Sequence, residues 1–117
     1  GMMTTAAIDA PTLEALKATT GDDFVRELVD TFLVEAPTML AELRDAYAKN
    51  DAERFRRTAH SLKSNGNTFG ALALAGLAKE LELGGLAPVR AANGAPIDTL
   101  AGEYARAADA LRELSRA

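Results

Sequence analysis

The chain has 117 residues, a net charge of -4 and no cysteine. That length fits one domain, expected to run over residues 2–117, since Gly1 ahead of Met2 reads as a cloning remnant. Disulfides, thiolate zinc sites and thiol nucleophiles are excluded together, the acidic balance argues against a nucleic-acid binder, and no apolar run reaches membrane-spanning length. The N-terminal "GMMTTAAIDA" lacks the basic region and apolar stretch of a secretory signal, so the cytoplasm is the expected location.

Helical periodicity runs through nearly the whole chain. "APTLEALKATTG" reads as a short first helix, with Asp9 available as cap, Pro11 in the first turn and Gly21 as stop. In "DDFVRELVDTFLVEA" the apolar positions Phe24, Val25, Leu28, Val29, Phe32, Leu33 and Ala36 recur at steps of three and four. Pro37 is expected to break or kink this helix before "TMLAELRDAYAKN". Asn50 and Asp51 form a tight junction, and Asp51 is a good cap for "AERFRRTAHSLKSNGNTF". After Gly70, "ALALAGLAKELEL" is a further helix stopped by Gly84 and Gly85. "LAPVRAANGAP" reads as a loop. The last helix, "IDTLAGEYARAADALRELSRA", puts Ile97, Leu100, Tyr104, Ala108, Leu111 and Leu114 on one stripe. Amphipathic helices on short connections predict an all-α fold, an antiparallel four-helix bundle with a short extra N-terminal helix.

The only histidine, His60, lies in the most basic of these helices. At about 100° per residue, Phe55, Ala59, Leu62, Gly66 and Phe69 fall on one narrow stripe that should face the core. His60 lies roughly 140° from its centre and should be exposed. Arg56 one turn before it, Lys63 and Ser64 one turn after it, and Asn67 two turns after it share its face. Arg54 and Arg57 add positive charge nearby. Such a surface suits an anion and disfavours a further positive charge on the ring. A neutral imidazole is a nucleophile near pH 7. A phosphoryl group on it would meet Lys63 as charged partner and Ser64 or Asn67 as hydrogen-bond donors. The plain alternative is a surface histidine on a solvated basic face.

"AHSLKSNGNTFGA" is similar to the signature of histidine-containing phosphotransfer (HPt) domains, an Ala-His-x-x-Lys core with a Gly-Ala pair about ten residues past the histidine. The matching residues are Ala59, His60, Leu62, Lys63, Asn67, Gly70 and Ala71, and "LAKELE" from Leu77 to Glu82 matches the apolar run that ends in Leu-Glu on the following helix. Ser64 replaces the glycine that commonly follows the lysine; it is still small. The resemblance implies a four-helix bundle presenting His60 on an exposed face, and transfer of a phosphoryl group between its Nε2 and the aspartate of a receiver domain. The partner would be the receiver domain of a response regulator or of a hybrid histidine kinase. The chain would need no cofactor of its own, with Mg2+ bound by the receiver. Lys63 would pair with the phosphoryl oxygens. Glu82 matches a position that in some members holds a carboxylate or amide bonded to Nδ1, which would fix the tautomer and leave Nε2 free to attack.

The glycines have structural readings. Gly66 and Gly76 would let helices approach closely, Gly66 would also keep the ground near His60 open, and Phe69 and Gly70 would shape the turn to the next helix. An enzyme is a weak rival, since the sequence has no phosphate-binding Gly-rich loop, no second histidine for a metal pair and no room for an ATP-binding kinase domain. Two binding roles also compete: a bundle that docks on a receiver or kinase domain without carrying phosphate, and a generic helical adaptor. A monomer is expected, because the core stripes can close on one another within one chain.

Overall fold

The structure, a computed structural model, describes residues 6–116. Residues 2–5 and 117 of the expected domain, and most of the N-terminal stretch read for a signal, lie outside the described residues. Helix α1 spans Ala10–Thr20, α2 Asp22–Ala48, α3 Ala52–Phe69, α4 Leu72–Gly84, α5 Leu86–Ala91 and α6 Ala95–Arg116. The local chemistry sets these ends. Asp9 accepts a hydrogen bond from the Thr12 N–H at the start of α1, and Asp51 does the same for Arg54 at the start of α3, so each acidic cap satisfies an otherwise orphaned donor. At the far end of α3, Gly70 takes the left-handed conformation at φ +79°, and the Ala71 N–H returns to the Gly66 carbonyl at 2.8 Å.

Helix α2 packs on α3 and α6, and α4 packs on the same two, which closes a ring of four helices. The cross-helix contacts run antiparallel. Along α2 and α6, Arg26 meets Ser115, Phe32 meets Tyr104 and Arg44 meets Asp98. Along α2 and α3, Phe32 meets Phe69, Met39 meets Asn65 and Asp45 meets Arg54. The shared interior holds Val29, Phe32, Leu43, Phe55, Leu62, Leu74, Leu100 and Leu111, all buried. Helix α1 packs across one end of the ring against α2 and α3, adding the buried Ile8 and Leu13. This is the expected bundle with its short N-terminal helix.

Three expectations are corrected. Of the break or kink expected at Pro37, the break does not occur, because α2 continues for 27 residues around it. Proline lacks the N–H that would bond the carbonyl four residues earlier, that of Leu33. The Tyr104 hydroxyl of α6 donates to that carbonyl at 3.5 Å, and the Tyr104 ring stands edge-on to Phe32. The stretch read as a loop contains α5, and α6 begins at Ala95, two residues before the expected Ile97. Helix α5 is held by burial of Val89 and by Arg90, whose guanidinium donates to the Tyr47 carbonyl at 2.9 Å and stacks 4.6 Å over the Tyr47 ring. Gly76 does not serve close packing; it is exposed, and a Cβ there would meet nothing within 4 Å.

Candidate functional site

The site lies along the seam between α3 and α4, which have the most extensive contact of any helix pair. Gly66 is buried in the seam between them, and a Cβ on it would sit 3.1 Å from Ala75 Cβ and from the Ala71 carbonyl oxygen. A Cβ here would need its neighbours on α4 to give by a few tenths of an ångström. Six residues before Gly66 stands His60, and seven after Ala75 stands Glu82, so the antiparallel register brings these two side by side.

The five residues of the predicted stripe, Phe55, Ala59, Leu62, Gly66 and Phe69, are all buried. Thr58 is buried with them at 7% exposure; it lies three residues after Phe55 and four before Leu62, so the same helical wheel reaches it. The His60 side chain is 56% exposed. Its Nδ1 lies 2.9 Å from Oε2 of Glu82, while the second Glu82 oxygen, Oε1, lies 2.9 Å from Nζ of Lys63. The Glu82 side chain is itself only 13% exposed. One sheltered carboxylate thus joins the imidazole to the ammonium. Lys63 first, and His60 second, hold the Glu82 carboxyl below the usual carboxylate range against the opposing effect of burial. A charged carboxylate accepts and cannot donate, so a neutral His60 in this contact carries its proton on Nδ1. Nε2 is then a free lone pair on the exposed side of the ring, with no hydrogen bond to any of the described residues.

The remaining predicted residues separate into two groups. Ser64 and Asn67 are exposed on the same helix face as His60, one and two turns further along. Arg56 is on that face too, but its guanidinium is turned back onto Glu53, which also raises its pKa. Gly70 is not beside His60. Ten residues along a helix is about 15 Å, and Gly70 there packs the α3 terminus against α1. A Cβ on it would lie 2.8 Å from the Asp9 carbonyl oxygen, and its own carbonyl accepts from the Asp9 N–H at 2.7 Å. The ion pair between Lys63 and Glu82 escapes sequence reasoning, because a wheel drawn on one helix carries no register against the next. Leu83, next to Glu82 in sequence, is 74% exposed, an apolar side chain left open on α4.

Comparison with known families matches residues 27–116 of the chain to the Hpt domain. The chain belongs to the Hpt domain family. Among solved structures, it is similar to the histidine-containing phosphotransfer protein B (HptB) of Pseudomonas aeruginosa PAO1, with 28% identity, a TM-score of 0.80 and 97% of each chain covered. Among curated proteins no significant match was found. The Hpt family match and the likeness to HptB make histidine phosphotransfer within a phosphorelay the function of this chain. Hpt domains are phosphocarriers that work with receiver domains. No described helix of this Hpt chain is long and apolar enough to cross a membrane.

Proposed function

We propose that His60 is the phosphorylated residue and that Nε2 is the atom that carries the phosphoryl group. The single observation that carries this reading is the 2.9 Å contact between His60 Nδ1 and Glu82, which reserves one ring nitrogen for the carboxylate and leaves the other for chemistry. The Nε2 lone pair attacks phosphorus as the bond from phosphorus to the receiver's aspartate oxygen breaks, and the electron pair of that bond returns to the aspartate carboxylate. The reverse step returns the pair to Nε2. Nδ1 keeps its proton in both directions, and the Glu82 carboxylate offsets the positive charge that the ring gains when Nε2 forms its new bond.

Lys63 is in reach of the same place. Its ammonium has three donors and is ion-paired with Glu82 Oε1 at 2.9 Å, so donors remain for phosphoryl oxygens on the neighbouring imidazole. Ser64 and Asn67, exposed along the same face, are the uncharged donors in this reading, and Arg56 adds to the basic face when a partner draws it from Glu53. The receiver domain of a response regulator or hybrid kinase brings the Mg2+ ion, so this chain acts as a carrier without ATP-dependent kinase activity. It works as a monomer in the cytoplasm, where such receivers reside.

His60→Gln tests the assignment. Labelled phosphate presented on a panel of phosphorylated receiver domains is expected to appear on the wild type as acid-labile, base-stable phosphate and to be absent from the variant. The variant keeps its helical circular dichroism and melting temperature, because His60 lies outside the core stripe. Label retained by His60→Gln overturns the assignment. A wild type that takes label from no receiver, with its fold intact, makes the chain a docking module instead.

A further inference from the structure

The described cations are nearly all spoken for. Lys17, Arg26, Arg44, Lys49, Arg54, Arg56, Lys63, Arg106 and Arg112 each form an ion pair, and Arg90 is held by Tyr47 and Asn50. Among the side chains described, which run to Ser115, only Arg57 and Lys79 have charged heads with neither a hydrogen bond nor an ion pair. Both are exposed, and both flank the same place. Arg57 is one turn before His60 on α3, on the side that turns toward α2. Lys79 is one turn before Glu82 on α4, rotated from Glu82 toward the open surface it shares with Leu83. The imidazole is thus bracketed from two helices by these two cations, whose heads contact no acid, Glu53 acting on Arg57 only through space.

Exposed acids without an ion pair among the described residues lie on other faces. Glu27, Asp30 and Glu35 line the outer side of α2, and Glu80, next to Lys79 in sequence, is on the side of α4 that meets Pro96 and Thr99 of α6. Among the described side chains, then, Arg57 and Lys79, the cations without a contacting acid or other acceptor, flank His60, and the acids without a contacting cation are on faces turned away from it. A partner whose approaching face is anionic is repelled by the body of the molecule and attracted at one place. The phosphotransfer reading supplies such a partner, because the donor must bring a phosphoryl group on an aspartate, itself anionic, to Nε2.

We infer that Arg57 and Lys79 form an electrostatic guide that steers an anionic, phosphoaspartate-bearing protein face onto His60. They are not assigned to the transfer step. Their expected signature is a change in encounter rate, strongest at low salt, with the rate inside the complex unchanged. The inference rests on the phosphotransfer role of His60, and the experiment separates the two.

The test measures transfer from a phosphorylated receiver domain as a function of receiver concentration and of salt, using the full chain. Arg57→Gln/Lys79→Gln is compared with wild type and with Glu27→Gln/Asp30→Gln. The first variant is expected to lower the bimolecular transfer constant about tenfold near 0.02 M salt and to leave the saturating rate unchanged. The gap should close to within about twofold at 0.5 M salt, where screening acts over a few ångströms. The α2 variant is expected to raise the low-salt constant slightly. Each single variant carries the same test in smaller measure if the double variant folds poorly. An unchanged low-salt constant, a lower saturating rate, or a loss that salt does not remove overturns the guide while leaving the His60 assignment standing. A wild type that accepts no phosphate removes both.

Discussion

At the scale of single residues, the most consequential side chain after His60 is Glu82. It is mostly sheltered, it is charged, and it serves a ring nitrogen and an ammonium at once. Glu82→Gln keeps an oxygen for Nδ1–H and drops the charge, whereas Glu82→Ala removes both. Nitrogen-15 spectra of His60 should keep the Nδ1–H tautomer in the Gln variant and show a tautomer mixture in the Ala variant; an unaltered spectrum in both would dismiss Glu82 as the orienting group. The acid limb of stability follows from the same pair. The folded-state pKa of Glu82 lies below its ordinary 4.5, so the unfolded chain takes up that proton first as pH falls. Its contribution is complete above about 4.5 and disappears as pH drops through the lowered folded value, so the urea midpoints of wild type and Glu82→Gln should converge on the acid side. The exposure of His60 was legible because one helix has one wheel, and the apolar stripe fixes which side is out. The partnership with Glu82 could be suspected from the family pattern but not deduced, since 22 residues and a turn separate the two and only packing sets their register.

At the scale of elements, α2 is the case where a strong local signal lost to a tertiary contact. Proline in a helix interior costs about 3 kcal/mol in isolation, partly through the carbonyl it leaves without a donor. That carbonyl, on Leu33, finds the Tyr104 hydroxyl 71 positions away, out of reach of any reading that proceeds window by window. Tyr104→Phe keeps the ring against Phe32 and deletes the donor. The expected loss is about 1 kcal/mol in urea unfolding, with the helix content unchanged. No loss would mean that water serves the Leu33 carbonyl adequately. Helix α5 escaped for a different reason. Its six residues include a proline, Gly85 precedes them and Asn93 and Gly94 follow within three positions, a composition that reads as loop, and what makes it helical is the anchoring of Val89 and Arg90 on the rest of the bundle.

At the scale of the whole molecule, the Hpt match begins at residue 27, inside α2, yet the structure extends its core beyond that point to α1. Ile8 and Leu13 are buried, and the Asp9 N–H bonds the Gly70 carbonyl across the end of α3. A chain starting at Asp22 should therefore lose about 3 kcal/mol or more, from two apolar side chains worth about 1.5–3 kcal/mol each. It should still accept phosphate at His60, whose partners lie on α3 and α4. A truncated chain of undiminished stability would show α1 to be an appendage. The bundle as a whole was readable because every long element carries an apolar stripe and every connection is short. Its end pieces were less so, since their order comes from contacts rather than from periodicity.

The closeness of α3 and α4 at Gly66 and Ala75 has a mechanical consequence for the chemistry. From that point of contact it is about 9 Å along α3 to His60 and about 10.5 Å along α4 to Glu82, so the seam acts as a pivot and the two functional side chains ride on its lever arms. A wedge at the pivot spreads the arms, and a hydrogen bond of 2.9 Å has little slack to absorb the spread. The alignment of the imidazole is accordingly a manufacturing tolerance set two turns away by the missing width of one methyl group. Substitutions at position 66 would register in a transfer assay as faults of the phosphorylated histidine, although they never touch it.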